Sequence, residues 1–120
     1  MKGVKTMLLN KYNKKVNVFK YEQVEKPEYK RLKDLFKNGE TEILIKGFFI
    51  NTKGYYGDSA VAIAEGYNIN LPNHLLETVK EMLADEEIIE MINNDNLGIE
   101  IYEYTSNKWG TNYSVNFIKM

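Results

Sequence analysis

Residues 42–71 read EILIKGFFINTKGYYGDSAVAIAEGYNINL and carry the clearest strand pattern of the chain. Residues 42–52 are rich in β-branched and aromatic side chains, which is typical of a strand. Residues 59–65 alternate valine and isoleucine with alanine, and residues 67–71 form a third short strand that ends at Pro72. A glycine-flanked loop joins the first two strands as a hairpin, and Gly66 allows a sharp bend into the third. The stretch therefore predicts three consecutive strands.

A helical segment and two more strands follow this stretch. Asn73 is the predicted N-cap of a helix, and Asp85 is the predicted cap of a second helix that continues through Ile92. The first helix carries one apolar stripe, formed by Leu75, Leu76, Val79, Met82 and Leu83. Residues 98–104 and 111–118 are predicted strands, joined by a loop over residues 105–110.

From residue 40 onward the predicted order is β-β-β-α-β-β, with the helical segment between the third and fourth strands. This is the connectivity of the OB barrel, a five-stranded Greek-key barrel. Gly47 lies in the middle of the long first strand, where a glycine lets the strand bend and take part in both halves of the barrel. The predicted fold class is all-β with a helical insertion. An open antiparallel sheet with one helix packed across a face is the alternative.

The first third of the chain is basic. Residues 1–37 hold eleven basic and four acidic side chains, whereas the rest of the chain holds five basic and thirteen acidic ones. Residues 14–23 predict a short strand, and residues 28–37 predict a short amphipathic helix that ends at Asn38-Gly39. We expect one domain over residues 1–120, with 1–39 as a basic extension packed on the barrel and 40–120 as the barrel core. Such asymmetry favours a polyanionic partner, although lysine is common throughout this chain.

The sequence offers little for catalysis. It contains no cysteine and one histidine, His74, so a zinc site lacks ligands, and we read His74 as a surface or capping residue. It also lacks the phosphate-loop, dinucleotide, zinc-protease and serine-hydrolase motifs. We therefore expect no enzyme, no metal and no cofactor. Since no segment suits a signal peptide or a membrane span, we expect a cytoplasmic protein without a membrane partner.

Two predicted loops place aromatic rings beside lysines. The loop between the first two strands contains Lys53, Tyr55 and Tyr56, and the loop before the last strand contains Lys108 and Trp109. Single-stranded nucleic acid binds to this combination, because bases stack on flat rings while cations follow the phosphates. The alternatives are that one of the tyrosines packs over the barrel end, and that Trp109 plugs the barrel or forms a dimer contact.

Further candidates lie on the strands and in the basic extension. Lys46 implies a partly solvent-exposed face of the first strand, which makes Phe48 a candidate stacking platform, unless it lies under the helix at 27–39. Tyr67 is a second such ring, and Lys14 and Lys15 extend the cationic track, with Lys11 beside them. In the fourth strand, Ile99 and Ile101 are predicted to face inward and Tyr102 and Tyr104 outward.

The runs GFFINTKGYYGDSAVAIAEGYNINLPNHLLETVKEML and GIEIYEYTSNKWGTNYSVNFI resemble the OB-fold single-stranded DNA-binding proteins of phages and mobile elements of low-GC Gram-positive bacteria. The resemblance covers roughly residues 42–118. It implies sequence-independent binding of single-stranded DNA during DNA replication or recombination, in many cases as a homodimer, with phage replication or recombination proteins as possible partners. The chain ends in Asn-Phe-Ile-Lys-Met, not in the acidic, glycine-rich tail of housekeeping members, which puts recruitment through such a tail in doubt.

Two other functions stay open. The composition of the chain also suits a small phage-borne inhibitor of a host enzyme. In that case the acidic side chains at residues 85–90, 100 and 103 mimic nucleic acid. A glycan or peptide binder is the third alternative, because one fold hosts many functions.

Overall fold

The computed structural model describes residues 19–55, 57–108 and 110–120. Its elements in chain order are β1 (Glu28–Arg31), α1 (Leu32–Lys37), β2 (Glu42–Leu44), β3 (Gly47–Asn51), β4 (Ser59–Ala64), β5 (Tyr67–Asn70), a 3-10 turn (Asn73–Leu75), α2 (Leu76–Leu83), α3 (Glu86–Asn93), β6 (Leu97–Ser106) and β7 (Gly110–Lys119). In the described part of the chain, no helix is long and apolar enough to span a membrane.

The strands form two sheets. Sheet A has four strands in the order β1-β5-β4-β3, and sheet B has three in the order β2-β6-β7. All neighbouring strands are antiparallel except β1 and β5, which are parallel. The coarse prediction of a strand-dominated domain with a helical insertion is thus confirmed.

A bend between β2 and β3 connects the sheets. The Ile45 N–H donates to the Leu97 carbonyl of sheet B at 3.0 Å, whereas the next N–H, that of Lys46, donates to the Ile63 carbonyl of sheet A at 2.7 Å. One continuous stretch therefore serves both sheets, as the position of Gly47 predicted.

On the other side of the molecule, no strand pairing between described residues joins the two sheets. There β1 is the edge of sheet A and β7 is the edge of sheet B. Helix α1 follows β1 directly and contacts both β6 and β7, and the Phe36 and Tyr113 rings lie 5.4 Å apart. The described residues therefore form two open sheets, not the closed five-stranded barrel expected from the sequence.

The core lies between the sheets and the helices. It is built from the inward side chains of both sheets together with one side of each helix. Its members include Leu32, Leu35, Ile45, Phe48, Ile69, Val79, Ile92, Ile99, Ile101 and Val115. Three alanines of β4 also face this core, and their small side chains leave room for the larger residues opposite them.

The predicted helix over residues 28–37 is wrong in its first turn. Residues 28–31 form β1 and pair with β5, while Leu32 and Leu35 are buried in α1 as the helical spacing predicted. The pairing with β5 is a contact between distant parts of the chain, which local spacing does not reveal. The strand predicted over residues 14–23 is also wrong where it is described, since residues 19–23 form no strand.

The segment between β5 and β6 is helical as expected, but it begins differently. Pro72, not Asn73, precedes the 3-10 turn, and no side chain caps it. The cap at Asp85 is confirmed, because its carboxylate accepts a hydrogen bond from the Glu87 N–H at 3.0 Å. The exposed His74 caps nothing; its Nε2 forms a 3.1 Å hydrogen bond with the hydroxyl of buried Ser114 on β7.

Candidate nucleic-acid interface

The β3–β4 loop presents a tyrosine to solvent. The Tyr55 side chain is 93% exposed and lies two residues after the exposed Lys53. The Gly57 N–H donates to the Gly54 carbonyl at 3.3 Å, and a Cβ at Gly54 would lie only 2.7 Å from the Gly57 carbonyl oxygen. The tight turn therefore needs glycine at position 54, and it keeps Tyr55 off the sheet. Tyr56 lies outside the described residues.

The β6–β7 hairpin carries the second predicted loop. Pairing of β6 with β7 continues to Ser106 and Gly110, so the loop is shorter than the predicted 105–110. Lys108 is exposed within it, and Trp109 lies outside the described residues. Farther down the hairpin, Tyr102 and Tyr104 are exposed with ring centroids 6.0 Å apart, as predicted from the burial of Ile99 and Ile101.

The strand register separates these two loops. The β3–β4 loop follows the end of β3, whereas β6 runs antiparallel to β2 and extends beyond its first residue, Glu42. The loops therefore lie off opposite ends of the bent β2–β3 stretch. The bend at residues 45 and 46 decides how closely they approach each other.

Phe48 is not an exposed platform, which corrects the prediction. It is only 2% exposed, and its ring packs edge-on against Phe117 at 5.9 Å. The reason is the break between β2 and β3: Ile43 and Ile45 face the core, but after the break the core-facing positions shift to Phe48 and Ile50. A prediction that assumes one uninterrupted alternation assigns the faces of β3 wrongly.

The ammonium group of Lys46 already has a partner. Its Nζ lies 2.8 Å from the Asp95 carboxylate, and this hydrogen bond raises the pKa of Lys46 above its ordinary value. A phosphate would therefore have to share the ammonium group of Lys46 with Asp95 or replace it. Lys14 and Lys15, like Lys11, lie outside the described residues.

Tyr67 contributes one partly covered ring. The Lys30 Nζ lies 4.3 Å from its ring centroid, which is a cation–π contact at the edge of sheet A. Burial raises the pKa of the Tyr67 phenol, and the charge of Glu40 raises it further. Lys30 covers one side of the Tyr67 ring, and the ring also packs against the core.

Sheet A has a second face that sequence reasoning missed. The side chains pointing away from the core form its outer face: Gly47, Phe49, Val61, Ile63, Asn68, Asn70, Tyr29 and Arg31. Four of them, Arg31, Asn70, Val61 and Phe49, are register partners in a row across all four strands. Tyr29, Arg31 and Asn70 are exposed. The break before Gly47 is the signal that could have revealed this outer face. Because of the break, Phe48 faces the core and Phe49 lies on the outer side of β3.

The chain matches no family model, no curated protein and no solved structure. The resemblance to phage single-stranded DNA-binding proteins therefore stays a prediction, and function has to be argued from geometry and charge.

Acidic side chains dominate the rest of the described surface. A cleft of about 570 Å³ between the sheets is lined by Glu40, Glu42 and Glu65. The exposed acids of the helices α2 and α3 are Glu77, Glu81, Glu86, Glu87 and Glu90, with Asp85 between the helices and Lys80 as their basic neighbour. Nevertheless, no group of three or more potential metal ligands forms among the described residues.

Proposed function

We propose that this protein binds single-stranded DNA without sequence specificity, by stacking bases on tyrosine rings and pairing phosphates with neighbouring cations. The exposure of Tyr55 beside Lys53, in a loop that keeps the ring off the sheet, is the observation that carries the proposal. A ring exposed in this way has lost the benefit of burial, and base stacking provides a use for it that tolerates every base.

The strand order supports the proposal. Reading β2 and β3 as one bent strand gives the order β5-β4-β3 continued by β2-β6-β7, with the helical segment between β5 and β6. This order is compatible with a partly open OB barrel that has β1 added beside β5. OB barrels bind oligonucleotides on the strands that correspond to β4 and β5 here, flanked by loops that correspond to the β3–β4 and β6–β7 connections.

The distribution of charge restricts where the DNA lies. Lys53 is exposed in the β3–β4 loop, and Arg31 is exposed on the outer face of sheet A. The acidic helices repel a polyanion, so we infer that the strand runs between Arg31 and Asn70 on one side and Lys53 and Tyr55 on the other. Like charge disfavours a path over α2 and α3.

A binding assay with labelled oligonucleotides tests the proposal. Fluorescence anisotropy of labelled oligo-dT is measured beside duplex DNA and RNA of equal length, at several salt concentrations. We expect oligo-dT to bind more tightly than the duplex, with a log–log salt slope of about −1.5 to −2 for two to three phosphate contacts. If oligo-dT fails to bind even at low salt, the proposal is wrong.

The acidic helical surface favours a second candidate, a protein-binding module that mimics nucleic acid. The exposed acids of α2 and α3 are the observation behind it. A mimic of this kind passes through a single-stranded DNA column without retention and binds a basic protein surface instead. A DNA-binding protein is retained on the same column and elutes only at raised salt.

A further inference from the structure

Residues 19–23, which we call the strap, lie against the outer face of sheet A. Three alternate side chains make the contacts. The Phe19 ring lies over Gly47, the Tyr21 hydroxyl accepts a 2.8 Å hydrogen bond from the Gly66 N–H, and the Gln23 carbonyl oxygen accepts one from the Asn68 amide at 3.0 Å. The strap thus presents every second side chain to the sheet.

The face beneath the strap is built to be covered. Ile63 is almost completely buried although it points away from the core, and its Cδ1 lies 3.2 Å from the Cβ position of Gly47. Gly47 leaves the space that the Phe19 ring fills, since a Cβ there would approach the ring to 2.9 Å. This end of the outer face therefore accepts a flat ring close to the backbone of β3.

One polar atom at this place is unsatisfied. Asn68 is 1% exposed, and its amide nitrogen donates to Gln23, but its Oδ1 has no hydrogen-bond partner among the described residues. A buried amide oxygen without a donor is unfavourable and rare in folded proteins. Gln23 therefore provides a hydrogen-bond partner for the amide nitrogen of Asn68 but not for its amide oxygen.

We propose that the strap occupies part of the polynucleotide site as an internal competitor, and that single-stranded DNA displaces it. This inference rests on the proposed function. A base that replaces Phe19 stacks over Gly47, and the edge of a neighbouring base offers a donor to the Asn68 Oδ1 as well as an acceptor to its amide nitrogen, whereas Gln23 as placed contributes only its acceptor.

The attachment of the strap suits such a displacement. Within the described part of the chain its backbone joins no strand ladder, and its Lys20 N–H donates a hydrogen bond to the Asn93 side-chain oxygen at 2.9 Å. Each hydrogen bond of this kind changes an equilibrium by about fivefold. A few such contacts hold the strap closed in the free protein, yet a polynucleotide with several stacked bases outweighs them.

A reversible crosslink tests the inference in one protein sample. The Cβ position of Gly47 is 3.1 Å from Cγ of Phe19, which is compatible with a disulfide after Phe19→Cys and Gly47→Cys, and the chain has no other cysteine. Because a Cβ at position 47 narrows the space for a stacked base, we expect the reduced variant to bind oligo-dT more weakly than wild type, and the oxidised variant to bind at least about tenfold more weakly again. Wild-type protein with and without reductant is the control.

A second variant approaches the question without a crosslink. Tyr21→Phe combined with Gln23→Ala removes two hydrogen bonds of the strap, so we expect oligo-dT to bind several-fold more tightly than to wild type. Tyr113→Phe, which removes a phenol hydrogen bond to Glu103 elsewhere, is the matched control and leaves the affinity unchanged.

The outcomes separate the two proposals. If wild type and all variants fail to bind oligo-dT, both the proposed function and the strap inference are overturned. If wild type binds but the oxidised and reduced forms bind equally and the double variant shows no gain, only the strap inference is overturned. Weaker binding after oxidation, or tighter binding by the double variant, supports it.

Discussion

The Nζ of Lys46 lies 2.8 Å from Oδ1 of Asp95, and this ion pair joins the bend between the two sheets to the turn that precedes β6. Asp95 adopts a left-handed backbone conformation with φ of 59°. The hydrogen bond to Asp95 is the largest cause of the raised pKa of Lys46, and the nearby charge of Glu65 acts in the same direction. The pair thus holds a cation in a structural contact at the junction of the sheets.

Replacement of Asp95 by asparagine isolates the charge of this pair, because asparagine tolerates the same left-handed backbone. We expect a loss of about 0.5–1 kcal/mol in the free energy of unfolding at neutral pH, measured by urea denaturation. Since the folded-state pKa of Lys46 is raised, the stabilisation is fully present below the ordinary lysine pKa and is lost as the pH rises through the folded-state value. Asp34→Asn, in the more exposed pair with Arg31, is the control and has a smaller effect. If the stability difference between wild type and Asp95→Asn persists undiminished at strongly alkaline pH, the ion pair with Lys46 is not its cause.

The same ion pair predicts a ranking of two lysines in DNA binding. Lys53→Met removes an exposed cation beside Tyr55, and we expect the salt slope for oligo-dT to become shallower by about 1. Lys46→Met removes a cation already paired with Asp95, and we expect the slope to change much less. Equal changes for both variants in the anisotropy titration would show that DNA binding releases Lys46 from Asp95.

Strands of sheet A were predicted well from the sequence where large and small side chains alternate clearly between the two faces of the strand. The alternation of valine and isoleucine with alanine in residues 59–65 corresponds to β4, which ends one residue earlier. The paired helices and the Asp85 cap were also readable, because caps and apolar stripes are local signals. What local signals do not contain is the pairing of β1 with β5, which joins residues almost forty positions apart.

The candidate site was harder to predict than the fold. Tyr29 fits a helical stripe with Leu32, yet it lies exposed on β1, because pairing with β5 outweighs the spacing. Which side chains of β3 face the core depends on the break at residues 45 and 46, and no residue before Gly47 indicates that break. The exposure of Tyr55 was predictable, since a tight turn between glycines offers a large ring few places to pack.

The reversed faces of β3 give a direct test with two neighbouring phenylalanines. Phe48→Ala removes a buried ring that packs on Phe117, and we expect a loss of about 3–5 kcal/mol in the free energy of unfolding. Phe49→Ala removes a half-buried ring from the outer face, and we expect a clearly smaller loss. Urea denaturation of both variants checks the order. The opposite order contradicts the register of β3.

Gly98 marks a close approach between β6 and its neighbours. A Cβ at this position would lie 2.6 Å from the Met120 side chain and 2.8 Å from the Ile43 carbonyl oxygen. The methionine can move, but the carbonyl belongs to the backbone of β2. We therefore expect Gly98→Ala to reduce the free energy of unfolding by about 1–3 kcal/mol, measured by urea denaturation. Adding Met120→Ala relieves only one of the two clashes, so complete rescue by that second substitution contradicts this explanation.

Tyr55 provides the sharpest test of the proposed function, because its side chain is 93% exposed. We expect Tyr55→Ala to weaken oligo-dT binding by about 1–3 kcal/mol, the range for loss of one stacked base, without lowering the urea midpoint. Tyr55→Phe keeps the ring and is expected to bind nearly as wild type does. Tyr102→Ala serves as the matched control, since it removes an exposed tyrosine from β6 of sheet B, a strand outside the proposed path of the DNA. If Tyr55→Phe weakens binding as much as Tyr55→Ala, the hydroxyl and not the ring carries the contact. If neither change affects binding, the DNA does not contact this loop.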